Sequence, residues 1–158
     1  MTILYIHKKN MNKTLAIVVL TWNDYKNTVI ALKSIIYQLK QDQKLFLIDN
    51  NSIDSIFEKT CDWLEKNYKN KFNKTIIRSK DKIGNLTLKR KSIFVLRNKK
   101  NLGCGLGHNP GYELAITNNF KFVARIDNDM LVPKNFFNKI LKNFNNKTIQ
   151  AVSPKILY

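Results

Sequence analysis

The stretch LAIVVLTWND, Leu15–Asp24, passes from an unbroken apolar run into polar residues within a few positions. Leu15–Thr21 is rich in β-branched side chains and has no alternating polar face, which marks a strand buried on both sides. Asp24 is placed to cap a helix, and Tyr25, Val29, Leu32, Ile36 and Leu39 follow it as one apolar stripe at helical spacing. A second short run, Leu45–Ile48, ends at Asp49 and enters the polar turn Asn50–Asp54. Ser55 and Glu58 then stand at capping-box spacing, ahead of a stripe of Phe57, Cys61, Leu64 and Tyr68. Thr75–Arg78 and Ser92–Arg97 read as strands. Between them lies the basic segment Ser79–Lys91, whose Gly84–Asn85 pair suggests a hairpin or a loop insertion. Asn98–Asn109 is a polar, glycine-rich loop. Asn109 is expected to cap, and Pro110 to open, a helix running to about Asn119. Phe122–Ile126 is a further strand ending at Asp127. Pro133 is expected to open a last helix with Phe136, Phe137, Ile140, Leu141 and Phe144 on one face, and Ala151–Tyr158 starts another strand.

This alternation argues for an α/β domain, a mostly parallel sheet with helices on both faces and right-handed crossovers. The 158 residues suffice for one such domain, expected over residues 14–158. Residues 1–13 read as an N-terminal extension, and Met11 is an alternative start that would leave the residues before it without a role. No apolar run approaches the length of a membrane span, and Thr2–Ile6 is too short for a signal-peptide core, so the expected setting is the cytoplasm. Cys61 and Cys104 form no close-spaced metal or redox motif, which suits a reducing compartment. The net charge of +17 implies attraction to polyanions. Two readings stand side by side: a lysine-rich bias spread over the whole chain, and a protein that rests against an anionic membrane surface. A specific nucleic-acid role finds no support in an RNP-like aromatic pattern, zinc-finger spacing or basic zipper.

In parallel α/β sheets, ligands bind beyond the carboxyl ends of the strands. Four polar clusters follow four of the expected strands: Thr21–Asp24, Asp49–Ser52, Asn101–Asn109 and Asp127–Asp129. If those strands are parallel, one rim collects all of them. Asp127 and Asp129 flank one residue directly after an apolar strand, a pattern that suits magnesium or manganese shared with substrate phosphates, and equally a solvated turn. The glycines at 103, 105 and 107 can bring backbone N–H groups to a phosphate, or can simply serve a loop that needs positive φ. They form neither a dinucleotide fingerprint nor a Walker loop, since His108 stands where a further glycine would be needed and no Gly-Lys-Ser/Thr follows. Asp49 can accept from a nucleobase N–H or close an Asx turn, and Trp22 can line a base pocket or pack in the core. His108 can touch substrate or hold the loop.

Taken in order, the stretches AIVVLTWNDY (Ala16–Tyr25), LFLIDNNSID (Leu45–Asp54), NKKNLGCGLGHNPGYELAI (Asn98–Ile116), FVARIDNDMLVPKNFF (Phe122–Phe137) and AVSPKILY (Ala151–Tyr158) resemble family-two glycosyltransferases of the GT-A fold. Ser79–Lys91 matches nothing in that pattern and reads as an insertion. The resemblance implies a Rossmann-like core that binds a nucleotide-diphosphate sugar together with Mn2+ or Mg2+. Thr21 and Asn23 would border the nucleobase and Asp49 would hydrogen-bond it, with Asn51 counted among the nucleotide-binding residues. Asn101, Gly103 and Asn109 would shape the loop beneath nucleotide and sugar. Asp127 would contact the ribose, or the metal through water, and Asp129 would ligate the metal directly. The family usually inverts at the anomeric carbon by single displacement, with a carboxylate base on the acceptor hydroxyl. No residue here matches that base, so the chain is expected to carry the donor half and to stop before the acceptor half.

The expected function is therefore transfer of a sugar to a glycan or lipid-linked acceptor in surface polysaccharide synthesis. The alternative is a non-catalytic nucleotide-sugar-binding remnant, or one piece of a split enzyme. A poorly covered edge at Ala151–Tyr158 would favour self-association.

Overall fold

The computed structural model describes residues 1–6, 13–74, 88 and 92–154. The expected strand at Thr75–Arg78 and, apart from Leu88, the segment Ser79–Lys91 lie outside these residues. β1 (Thr2–Tyr5) and β2 (Lys13–Thr21) precede α1 (Tyr25–Ile36) and β3 (Gln43–Asp49). Next come α2 (Asp54–Tyr68), β4 (Phe72–Lys74), β5 (Ile93–Arg97), and the helices α3 (Gly103–Gly107) and α4 (Asn109–Thr117). β6 (Phe120–Asp127), α5 (Phe136–Leu141), a 3-10 turn at Lys142–Asn145 and β7 (Ala151–Val152) complete the described elements. The strands form one seven-stranded sheet in the order β4-β5-β3-β2-β6-β1-β7. Pairing is parallel from β4 through to β6, while β1 runs antiparallel to both β6 and β7.

The unbroken apolar runs are explained by two cores, one on each face of the sheet. Leu15, Ile17 and Val19 of β2 pack with Leu45, Leu47, Val95, Ala124 and Ile126 against the buried faces of α1, α2 and α5. Their sequence neighbours Ala16 and Val18 turn the other way, to Phe46, Ile48, Phe94 and Leu114 on the α4 side. The expected stripe of α1 is buried at Val29, Leu32 and Ile36. α4 lies unusually close to the sheet because Gly111 has no side chain: a Cβ there would stand 2.5 Å from Val18 Cγ1. No helix among the described residues is long and apolar enough to cross a membrane.

Several local expectations need correction. α2 starts at Asp54 with Ile53 at its N-cap, so Ser55 lies inside the first turn and makes no capping box. Asn23 Oδ1 instead receives the Ile53 N–H across the sheet rim, which advances the helix start. Asn109 is the first residue of α4 rather than its cap, and its predecessor His108 occupies the cap position. The loop expected across Asn98–Asn109 contains the helical turn α3. Pro133 precedes α5 by a turn; Asn135, at φ 62°, is the residue before the helix.

The largest difference concerns the first residues, read above as an extension. Thr2–Tyr5 pairs with β6 from Thr2↔Arg125 to Tyr5↔Phe122 and separates β6 from β7. Ile3 is fully buried in the larger core, whereas Leu4 on the same strand is 46% exposed. A short strand followed by a basic segment carries little signal of its own; its place is set by the edge of β6. We expect Ile3→Ala to lower the free energy of unfolding by about 2–4 kcal/mol, against less than about 0.5 kcal/mol for Leu4→Ala. Urea denaturation measures both, and equal small effects would mean that β1 contributes nothing to the fold.

Candidate functional site

Parallel pairing puts the carboxyl ends of the strands on one rim. Thr21 stands opposite Asp49, and Asp49 opposite Arg97. On the other side of β2, Leu20 stands opposite Asp127. The polar clusters that follow these strands therefore meet, as the sequence implied. They enclose a cleft of about 540 Å³. Of the residues singled out from sequence, Thr21, Asn101, Gly103, Asp127 and Asp129 line it, together with Trp22 and His108. Asn23, Asp49, Asn51 and Asn109 do not line it.

Asp49 is buried beneath the rim. Its Oδ2 accepts from the Ser52 N–H at 3.1 Å and faces Arg97 Nε at 3.2 Å. The Arg97 contact is one of charge, without the alignment of a hydrogen bond. Burial pushes the Asp49 carboxyl above its ordinary range, against the pull of its Ser52 hydrogen bonds and the Arg97 charge. Arg97 also bonds Asp54 at 2.8 Å, donates to the Ser52 carbonyl and lies over the Phe57 ring. Asn23 and Asn51 both adopt positive φ, 52° and 66°, which asparagine tolerates better than most residues. Asn23 also ties its loop to the next through Ser52 Oγ and the Ile53 N–H.

Sequence reasoning passed over the side chain that organises the glycine loop. Asn50 is buried; its Nδ2 donates to Asn101 Oδ1 at 2.8 Å and to the Gly103 carbonyl at 3.3 Å. Its Oδ1 accepts from Asn98 Nδ2 and from the Leu102 N–H. The Gly103 N–H is taken by Asn101 Oδ1. Two of the loop's backbone donors are thus already bonded within the protein, so the loop is not a ready phosphate cradle at those positions. Gly103 itself has φ 70°, the conformation its residue type was expected to serve. Asn128 was missed as well: its Nδ2 reaches Asp24 Oδ2 at 3.2 Å and Thr28 Oγ1 at 3.1 Å, anchoring the Asp127–Asp129 turn to the start of α1. Asp24 caps α1 as expected, accepting the Asn27 N–H.

The cleft's electrostatics run against those of the whole protein. Among the described residues, its lining includes Asp24, Asp127 and Asp129 but no lysine or arginine. Arg125 stands beside it, 3.4 Å from Asp127 Oδ1 and 3.0 Å from Cys104 Sγ. The Met1 nitrogen lies 4.0 Å from Asp127 Oδ2. His108 is buried, with Nδ1 2.7 Å from the Cys104 carbonyl and its ring stacked on Tyr112. Nε2 has no partner among the described residues. Burial pushes its pKa below 6.5, opposed by the Cys104 hydrogen bond, while the Arg125 charge adds to the fall and Asp127 opposes it.

The sequence profile of glycosyl transferase family 2 matches residues 16–158. Among solved structures, S. aureus TarS 1–349 is similar with a TM-score of 0.59 and 18% identity, over 84% of this chain and 32% of that one. The same values hold for S. aureus TarS 1–349 in complex with UDP. A further structure, titled S. aureus TarS, gives a TM-score of 0.57 and 17% identity over 85% and 20% of the two chains. At this identity the likeness is one of fold, and the chain spans a third or less of the length of these structures. No curated protein matches the chain.

The depressed His108 pKa makes a pH prediction. Below about 6.5 the unfolded chain binds a proton that the folded imidazole resists, so the fold loses stability as pH falls from there toward the folded pKa. Urea unfolding at neutral pH and at about pH 5.5 should show a larger loss in the parent protein than in His108→Gln. Identical pH dependence in the two would contradict the assignment.

Proposed function

Because the chain belongs to glycosyl transferase family 2, we propose that its cleft holds the nucleotide-sugar donor of a glycosyl transfer reaction. The observation that carries this reading is the inverted charge. In a protein of net charge +17, the described residues that line the cleft include Asp24, Asp127 and Asp129 and no lysine or arginine. Arg125 and the Met1 nitrogen offset Asp127 only, so a nucleoside diphosphate set against these carboxylates still meets the charge of Asp24 and Asp129 and is repelled unless a further cation stands between them.

The donor set fits Mn2+ or Mg2+. Hard divalent ions of this kind take one or two carboxylates and complete their shell with phosphate oxygens and water. Asp129 is exposed and Asp127 half-exposed, so both can reach such an ion. Among the described residues no group of three or more His, Cys, Asp or Glu side chains could hold a metal, which leaves the remaining ligands to the diphosphate. When bound, the ion neutralises charge on the departing diphosphate.

Asn128 anchors the turn between Asp127 and Asp129 to the start of α1 through Asp24 and Thr28. Trp22, 54% exposed on the rim, offers its ring face to the base or sugar beside Thr21. Asp49, buried and outside the cleft lining, would support the nucleotide from beneath by closing the turn that carries Asn50. Asn101 and Gly103 would form the cleft wall below the nucleotide, Asn23 ties together two of the loops that frame it, and Asn51 and Asn109 stand on the turn and at the helix start beside it. The chemistry would be an inverting single displacement onto a glycan or lipid-linked acceptor, with a carboxylate base on the acceptor hydroxyl.

UDP is the first probe, because one similar structure is described in complex with it. Calorimetry should find UDP binding that depends on Mn2+ and weakens at least about tenfold in Asp129→Ala, or about 1.4 kcal/mol. Unchanged affinity in that variant, or equal binding with chelator present, would defeat the reading.

A further inference from the structure

Beside the cleft lies a second surface that donor binding does not use. α1 exposes Ile30 on its outer ridge and Tyr37 at its C-cap, 42% and 77% accessible, and the loop that follows Asp129 exposes Leu131 at 69%. These three flank a shallow groove of about 440 Å³ whose charged residues are Lys33 and Lys134, with no carboxylate among the described residues that line it. The loop is held firmly against the helix. Ser34 Oγ accepts the Val132 N–H at 3.1 Å, and Gln38 Nε2 reaches the Pro133 carbonyl at 3.2 Å. The apolar side chains therefore project from a braced surface rather than from a loose loop.

We propose that this groove is the face on which the protein seats against an anionic lipid bilayer. The proposal rests on the donor-binding reading only for its purpose, which is to bring the cleft down to a lipid-linked acceptor. Leu131 is two positions from Asp129, so seating Leu131 in the headgroup layer sets the cleft at the membrane surface. The chemistry of the patch matches that layer. Aliphatic side chains enter the acyl boundary, a tyrosine sits at its interface, and lysines extend their stems to the phosphates. Each lysine near an anionic surface strengthens partition by about fivefold. A second copy of this chain is a poor occupant, because pairing the face with itself would set Lys33 and Lys134 against the same lysines, in a protein of net charge +17.

Cosedimentation of the full chain with vesicles tests this, using phosphatidylcholine alone and with about a third phosphatidylglycerol, at about 0.1 M salt, where the screening length is about 10 Å. The bulk charge alone would draw the protein to anionic vesicles, so the deciding variant is Tyr37→Ser with Leu131→Ser, which leaves the net charge untouched. We expect binding to the anionic vesicles to fall at least about tenfold in this variant, and a similar fall for Lys33→Glu with Lys134→Glu. Circular dichroism verifies that each variant is folded. Binding of the serine variant equal to the parent's would mean that diffuse charge holds the protein, and would overturn the proposal. So would absence of parent binding to anionic vesicles, or a parent dimer that the serine variant dissolves. Manganese-dependent UDP binding, measured on the same samples, reports on the donor cleft independently: its loss with vesicle binding intact would fault the donor reading and leave the seating face standing.

Discussion

Parallel hydrogen-bond register between β2 and its neighbours sets the level at which every strand of the site ends. Because Thr21, Asp49 and Arg97 are cross-strand partners and Leu20 is level with Asp127, each chain segment leaves the sheet at the same height. The apolar runs that make this register unambiguous are buried on both faces. A slip of one residue would carry Leu15, Ile17 and Val19 from one core to the other and break the packing of α1 and α4 together. The rim is thus a consequence of the two cores, and the cleft a consequence of the rim.

On that rim the protein separates two kinds of carboxylate. Asp49 is buried and paired with Arg97, and its work is internal: it closes the turn that carries Asn50 and, through Arg97, secures the start of α2 at Asp54. Removing either member of such a pair strands a charge in a poorly solvated place, which is far costlier than the pair itself is favourable. Asp127 and Asp129 line the cleft on a turn that Asn128 anchors to Asp24 and Thr28, and Arg125 and the Met1 nitrogen lie beside Asp127. A framework of asparagines suits a site that must keep acidic charge facing a ligand, because it fixes geometry without adding charge.

The fold was legible where residue chemistry alone decides conformation. β2 announces itself by an unbroken β-branched run and β3 and β6 by short apolar ones, and the meeting of their polar tails follows from parallel topology. What stayed hidden depends on partners distant in sequence. β1 is a strand only because β6 offers it an edge, and the start of α2 shifts because Asn23 reaches across to Ile53. The site divides in the same way. Asp127, Asp129 and Thr21 were readable as rim residues and do line the cleft. Asn50 and Asn128 looked like ordinary turn residues, and their importance lies in hydrogen bonds to loops about fifty and a hundred positions away. The glycine loop was read as a possible phosphate cradle, yet Asn50 and Asn101 had already claimed two of its backbone donors.

A crystal structure of the chain with UDP and Mn2+, with the manganese located by its anomalous signal, addresses the central claim most directly. The manganese peak should lie beside the Asp129 carboxylate, within the cleft bounded by Trp22 and the Asn101–Gly103 loop. A nucleotide bound elsewhere on the sheet, or seated in the cleft with its diphosphate turned away from Asp127 and Asp129, would contradict it.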